Sequence, residues 1–272
     1  MSISPSASMT RLNQSLTPLA KMLDLKGQAE ITVRTPDGEV KGHQTIGNTI
    51  TSTVRVDLMK EITGDGSYGS QLVPTRIICQ MNNMYWSTMS YISGNHSTTG
   101  VVGNTVTTSF NVTGLQQSSW PGAATSIATV YLLSTSATIG TASGAEISPN
   151  VTVDNNDTID IIYKMTLTRN DPSVGSGFLV RLGNILRGGN QNVEIDRASI
   201  YNGATLLQQS MINLSASGTN TSTNIYFNNV SSLPDRVYFY ADAGATPVYN
   251  TTISVGGFSG GDNIIVPFSI NT

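Results

Sequence analysis

Two glycine-rich segments of this 272-residue chain match sequence motifs of enzymes, one for a serine nucleophile and one for nucleotide binding. Residues 257–261 spell G-x-S-x-G, which presents a serine nucleophile when a strand precedes it, a helix follows it and a histidine comes later in the chain. The histidines, His43 and His96, both lie far upstream, and the residues after 261 alternate as a strand does. We therefore interpret residues 257–261 as a hairpin turn.

Residues 64–69 spell G-x-G-x-x-G, which binds a pyrophosphate when a strand leads in and a helix leads out. Here a helical pattern precedes the motif, and Pro74 opposes a helix after it. The segment is interpreted as a helix-to-strand loop. His43 and His96 have no partner at the spacing of zinc ligands, and we expect no enzyme.

Three aspartates, Asp154, Asp157 and Asp160, gather carboxylate oxygens on one predicted turn. Calcium takes six to eight oxygen ligands, but the spacing differs from that of an EF-hand loop and no glutamate follows to complete a cage. Two interpretations stay open, an Asx-rich turn and a structural calcium site. No other cofactor is expected.

Aromatic residues supply candidate glycan-binding positions, because flat rings stack on the apolar faces of sugars. Trp120 lies in the polar loop 116–122 and is the favoured candidate, beside Tyr85-Trp86 and the run 238–240. Packing in the core is the alternative fate of such residues. Candidate N-glycosylation sequons occur at Asn95, Asn111, Asn150, Asn213, Asn220, Asn229 and Asn250.

The composition is polar but nearly uncharged. Charged residues make up 11% of the chain, against roughly 25% in ordinary soluble domains. The net charge is −3 with scattered Lys and Arg, so we expect no nucleic-acid binding. The single cysteine, Cys79, lies in an apolar run and is expected to be a buried thiol.

The first 26 residues are expected to be a docking segment. No apolar stretch follows a basic start there, so we expect no signal peptide, synthesis in the host cytoplasm and no membrane insertion. Leucines at positions 12, 16, 19 and 23 share one face of a helix. With Thr17 as cap and Pro18 as first residue, they predict a short N-terminal helix over 18–25.

The rest of the chain has mainly the two-residue period of strands. A hairpin turning at 36–38 precedes a predicted helix over 48–62, capped by Asn48 or Thr49 and stopped by Gly64. Further strands follow, and the clearest covers 158–169. After a break at 170–177, strands resume with 178–183.

These patterns predict an all-β protein with two β-sandwich domains of jelly-roll or immunoglobulin-like type. The first domain spans 27–170 and contains the helix 48–62. The second spans 171–272.

The order of elements in the first domain also matches a known pattern. A predicted strand and turn have the sequence Val-Arg-Thr-Pro-Asp-Gly-Glu-Val and lead to the predicted helix that begins at Asn48. The domain closes with a predicted strand of sequence Asp-Thr-Ile-Asp-Ile-Ile-Tyr-Lys-Met-Thr-Leu-Thr. Over about residues 27–169 this resembles virion appendage proteins of tailed bacteriophages and archaeal viruses. The chain departs from them at 80–84, where they commonly carry Gly-Thr-Gly. The resemblance implies a tail, turret, spike or capsid-decoration subunit without catalytic residues.

We therefore expect a structural subunit of a virus particle, located in the virion, whose partners are other copies of itself and other virion proteins. Two alternatives stay open. One is a carbohydrate or host-receptor binding module for host attachment. The other is a polysaccharide-acting β-fold enzyme, which would need two carboxylates in a groove.

Overall fold

The structure is a computed structural model. It describes residues 9–11, 23–50, 52–64, 73–81, 87–91, 96–98, 100–116, 127–133, 138–143, 153–154, 156–187, 193–213, 220–241 and 246–271. This part of the chain is mostly β, with antiparallel sheets and two helices. The all-β class is confirmed.

The elements follow one another along the chain in this order. The strands of the first part are β1 (Met9–Arg11), β2 (Leu23–Arg34), β3 (Val40–Ile50), β4 (Arg76–Met81), β5 (Ser87–Tyr91), β6 (His96–Thr98), β7 (Thr105–Leu115), β8 (Ile127–Leu133), β9 (Thr138–Ser143) and β10 (Thr158–Arg169). Those of the second part are β11 (Ile195–Asn202), β12 (Thr205–Met211), β13 (Asn220–Val230), β14 (Arg236–Ala241), β15 (Tyr249–Thr252) and β16 (Asp262–Asn271). The helices are α1 (Ser52–Ile62) and α2 (Ser176–Leu186).

Apart from β1, the described strands of the first part form one sheet, the large sheet, in the order β5-β4-β8-β9-β3-β2-β10-β7-β6. Strand β10 is hydrogen-bonded between β2 and β7, and its bounds confirm the predicted strand 158–169. Alternate residues from Ile159 to Leu167 are buried, as are most of the matching positions of β2 and β7. This alternation gives the sheet one apolar face and one polar face.

Helix α1 begins later than the sequence indicated. Asn48 pairs with Gly27 in strand β3, which continues to Ile50, and the helix starts at Ser52. The predicted start at 48 was wrong, because cross-strand pairing overrides the local capping signal. Gly64, just past the helix, has φ +84° and so agrees with the predicted helix stop.

The predicted strand 178–183 is instead part of helix α2. The alternation was misleading, since the residues that become buried recur at helical spacing, and they are Phe178, Leu179, Leu182, Gly183, Ile185 and Leu186. The helix packs on β7 and β10 of the large sheet, where the buried Thr108 hydroxyl donates a hydrogen bond to the Gly183 carbonyl at 3.0 Å. In the described residues, no helix is long and apolar enough to cross a membrane.

The strands of the second part form two smaller sheets, one of which also contains β1. The C-terminal sheet has the order β12-β11-β14-β15, and the mixed sheet has the order β1-β16-β13. The Phe239 ring of the C-terminal sheet stacks on the Phe268 ring of the mixed sheet, with centroids 4.4 Å apart. The two sheets therefore share an apolar core.

The segment between the two parts lies along one edge of the C-terminal sheet. Val174 forms an isolated antiparallel bridge with Tyr249, and the Gly175 amide donates to the Val248 carbonyl at 2.8 Å. A Cβ at Gly175 would lie 2.8 Å from the Pro247 carbonyl oxygen, so only glycine allows this close approach. Strand β15 therefore has neighbours on both sides.

The N-terminal segment differs from its prediction. Leu23 and Leu25, expected at the end of a helix over 18–25, open strand β2, so the prediction was wrong there because these residues pair with β10. The rest of that predicted helix lies outside the described residues. Upstream, Met9–Arg11 runs parallel to β16, with Met9 opposite Asn263.

Candidate functional site

The polar face of the large sheet carries a set of ion pairs that we call the ionic ladder. Its members are Glu30, Arg34, Lys41, Asp154, Asp157, Asp160 and Lys164. The Arg34 guanidinium donates to Asp160 at 2.9 Å, and Lys164 donates to Glu30 on the neighbouring strand. Asp160 also accepts a hydrogen bond from the Gly114 amide at 2.8 Å. Each carboxylate of the ladder thus has a cation within contact distance.

The three predicted calcium ligands fall into two separate contacts. Asp154 and Asp157 meet around the Lys41 ammonium, at 2.7 and 2.6 Å, whereas Asp160 contacts Arg34. Burial alone would lower the pKa of Lys41, but the hydrogen bonds from its ammonium to both aspartates raise the pKa above its ordinary value. Within the described ranges no group of three possible metal ligands occurs, and calcium binding stays a prediction that must compete with Lys41.

Residues 257–261 form a turn, with strand β16 directly after it, as interpreted from the sequence. Gly257 and Gly261 adopt positive φ values, and the Ser259 amide donates to the Asp262 carboxylate at 2.8 Å. Of the other motif, only Gly64 lies among the described residues. Cys79 is buried in β4, and burial raises the pKa of its thiol to about 12.

The glycan-related predictions are only partly placed by the structure. Trp120, Asn95 and Asn150 lie outside the described residues. Asn213 and Asn229 are exposed, and Asn250 is half-buried. The remaining two sequons lie in strands, Asn111 in β7 and Asn220 in β13. Glycosylation stays a prediction.

The outward face of the C-terminal sheet has a different composition, and we call it the tyrosine–arginine face. The strand registers align its members across β12, β11, β14 and β15, and they are Arg197, Ser199, Tyr201, Leu206, Gln209, Met211, Arg236, Tyr238, Tyr240, Asn250 and Thr252. The opposite side of the same strands holds Ala198, Ile200, Val237 and Phe239, all fully buried. Strand alternation therefore separates this face from the core.

Three tyrosines of this face contact one another. The Tyr201 and Tyr238 rings meet edge to face with centroids 4.9 Å apart, and the hydroxyls of Tyr201 and Tyr240 are 3.4 Å apart. Aromatic pairs in such geometry add about 0.5–1.5 kcal/mol beyond their buried area. The contacts hold the rings in fixed positions on the sheet.

Two arginines lie against these rings. The Arg197 guanidinium stacks over the Tyr240 ring at 4.6 Å, and Arg236 donates to the Tyr238 hydroxyl at 3.2 Å. Burial, together with the contact to Tyr201, raises the pKa of Tyr240, so its phenol stays neutral at physiological pH. The face therefore presents positive charge and neutral hydrogen-bonding groups.

The free surface of the face also contains large apolar side chains. Leu206 is 50% exposed and Met211 is 68% exposed, at the two ends of β12. Between them the Gln209 amide donates to the Ser199 hydroxyl at 3.1 Å. The face is thus neither a charged solvated surface nor an apolar core.

Only part of this face is predictable from the sequence. The run 238–240 is a candidate by composition, and strand alternation places Tyr238 and Tyr240 on one side with Phe239 on the other. The contribution of Arg197 and Tyr201 depends on how β11 pairs with β14. That pairing has no local signal in the sequence.

No family model, curated protein or solved structure matches this chain. The chemistry of these two faces is therefore what bears on the function.

Proposed function

We propose that this protein is a structural subunit of a virus particle, such as a turret, spike, tail or capsid-decoration subunit, and that it acts by protein–protein assembly. In this proposal the C-terminal and mixed sheets form one β-sandwich and the large sheet forms the body of a second. The tyrosine–arginine face is the contact surface. The composition of this face is the observation that carries the proposal.

Protein interfaces are enriched in Tyr, Met and Arg and depleted in Lys, Glu and Asp. The tyrosine–arginine face has the same bias, with three tyrosines, two arginines and Met211 but no Lys, Asp or Glu. Tyrosine and arginine also dominate the residues whose truncation weakens binding most. A protein partner that covers this face would bury Leu206 and Met211, which are otherwise exposed to water.

The viral setting is supported by two features of the sequence. The hairpin, the following helix and the closing strand at 158–169 resemble virion appendage proteins. The chain also has only 11% charged residues, which reduces repulsion between closely packed copies.

The proposal predicts that the purified chain self-associates or binds a particle through Tyr238. Tyr238→Ala should weaken assembly at least tenfold, as measured by sedimentation velocity, because it removes a ring from the centre of the face. Tyr226→Ala is the matched control, since Tyr226 is 49% exposed on the mixed sheet. Equal behaviour of both variants would argue against this face as the contact surface.

The viral part of the proposal needs a separate test. Antibodies raised against the purified chain should label the surface of particles released from cells that encode it, as seen by immunogold electron microscopy. Particles that contain none of the chain by mass spectrometry would refute a virion location.

A second candidate function, binding of a host carbohydrate, is favoured by the amide groups of Gln209 and Asn250 beside the tyrosine rings. Together they offer stacking surfaces and hydrogen-bond donors suited to sugars. A glycan array with the purified chain tests this function. Binding that Tyr201→Ala removes would support it, and a blank array at high protein concentration would count against it.

A further inference from the structure

We propose that strand β12 is a pairing edge for a second copy of this chain, so that two C-terminal sheets join into one continuous sheet. The inference rests on the proposed assembly function and names the partner and the contact. Three observations support it: β12 is an edge strand of the C-terminal sheet, it contains no charged residue, and some of its backbone amides and carbonyls point away from the sheet.

The two edges of the C-terminal sheet differ. The β15 edge is covered by 173–175, through the Val174–Tyr249 bridge and the Gly175 amide. Among the described residues, β12 pairs with β11 alone. It is therefore the edge at which another strand can be added.

Strand β12 lacks two of the features that usually protect an edge from pairing, charged residues and proline. Soluble proteins place charges, especially Lys, or proline on such strands. The sequence Thr-Leu-Leu-Gln-Gln-Ser-Met has neither. A bulge at Leu207 interrupts its register with β11, but the pairs from Gln208 to Met211 are regular.

Backbone direction identifies which residues offer hydrogen bonds to a new strand. The Ile212 amide donates to the Asp196 carbonyl, so the backbone groups of Ile212 point towards β11. Since these directions alternate along an antiparallel strand, Gln209 and Met211 point their amides and carbonyls away from the sheet.

A second copy fits this edge because β12 is complementary to itself. Antiparallel self-pairing centred on Gln209 places Gln209 opposite its own counterpart and Met211 opposite Leu207 of the other copy. This register brings the exposed Met211 side chain against the half-buried Leu207 of the other copy. No charge of β12 meets its like across the symmetry axis, and the two tyrosine–arginine faces become one surface.

The first test adds one charge to this edge. Gln209→Lys sets two ammonium groups opposite each other and should weaken self-association of the full chain about tenfold or more in sedimentation velocity. Ala204→Lys carries the same charge in the exposed turn before β12 and should associate as the unmodified chain does. Equal association of both variants would overturn the proposal.

The second test uses a disulfide and does not depend on the lysine variant folding. Facing residues of antiparallel strands lie about 5 Å apart, within reach of a disulfide. Gln209→Cys should therefore form a covalent dimer under mild oxidation, whereas Ala204→Cys should not. The buried Cys79 gives no background reaction because burial suppresses its thiolate.

The outcomes separate this inference from the proposed function. If Gln209→Lys associates normally while Tyr238→Ala does not, the β12 contact is wrong and assembly through the face stands. Because Gln209 also lies on the face, support for the β12 contact requires that Gln209→Lys loses association and Gln209→Cys gives a disulfide dimer. Normal association of Tyr238→Ala in the same series would then count against the face. A chain that stays monomeric at every concentration and gives no disulfide dimer at position 209 would refute both.

Discussion

The ionic ladder and the tyrosine–arginine face occupy equivalent positions, each on the polar side of a sheet whose other side is buried. In the ladder, each carboxylate contacts an ammonium or guanidinium on another segment. The tyrosine–arginine face holds arginines, phenols and exposed apolar side chains, and none of its members is acidic. The charged groups of the ladder pair with one another, whereas the tyrosine–arginine face keeps binding groups available for a partner.

The same residue types therefore have different roles on the two faces. Arg34 in the ladder is held by Asp160, so its charge is used within the chain. Arg236 is exposed and contacts a phenol, which leaves its charge directed to the surroundings. Most side chains of the ladder are half-buried, so each pair offsets the cost of partly removing its charges from water.

The largest losses of stability should come from substitutions on the buried sides of the large sheet and the C-terminal sheet. On these sides the two sheets should lose similar amounts of stability. Phe110→Ala in the large sheet and Phe239→Ala in the C-terminal sheet each remove a fully buried ring, at an expected cost of about 3–5 kcal/mol in the free energy of unfolding. Urea denaturation measures both. A cost below about 1 kcal/mol for either variant would show that its core is not packed as described.

The outer faces should differ in how much they stabilise the fold. Asp160→Ala leaves Arg34 and the Gly114 amide without their acceptor, and we expect a loss of about 1–2 kcal/mol after allowing for solvent screening. Arg236→Ala should leave the stability unchanged within the precision of the measurement, because this side chain is exposed. If thermal denaturation showed the same loss of stability for Asp160→Ala and Arg236→Ala, the two faces would not differ in structural role.

Alkaline pH should affect the tyrosine–arginine face through Tyr240. Its pKa is raised in the folded chain, so its contribution to stability is present below the ordinary tyrosine pKa of about 10 and is lost as the pH rises towards the raised value. Tyr240→Phe should therefore make the melting temperature fall less steeply above about pH 10. An unchanged slope would mean that the Tyr240 phenol is as solvated in the folded chain as in the unfolded one.

The smallest effect is expected from calcium. Because Lys41 already contacts Asp154 and Asp157, millimolar calcium should shift the melting temperature of the unmodified chain by less than about 1 °C relative to chelator. A clear rise that Asp157→Asn abolishes would instead establish a calcium site.

The sequence predicted the strands well where burial alternates cleanly. Strand β10 alternates from Ile159 to Leu167 because one face is buried along its whole length. The helix α2 was missed because a short apolar run such as 178–183 fits either period, and its packing on β7 decides between them. The start of α1 was misplaced because Asn48 is used in cross-strand pairing.

The site was harder to predict because its parts come from distant segments. The aspartate cluster was recognised as a set of oxygen ligands, but Lys41 lies more than a hundred positions upstream in the sequence. The tyrosine–arginine face likewise combines β11 with β14, whose register no local pattern specifies. The residue types in the sequence indicated which side chains could bind ions or partners. The pairing of the strands is needed to show which of these side chains lie next to one another.

The parallel pairing of β1 with β16 has a consequence for the order of folding. Met9 cannot pair until Asn263 has been synthesised. Contacts between residues so far apart in the sequence also form slowly. The large sheet, complete by Arg169, can fold while translation continues. The mixed sheet can close only after β16 has been synthesised, so β1 and β13 stay open to competing partners until then.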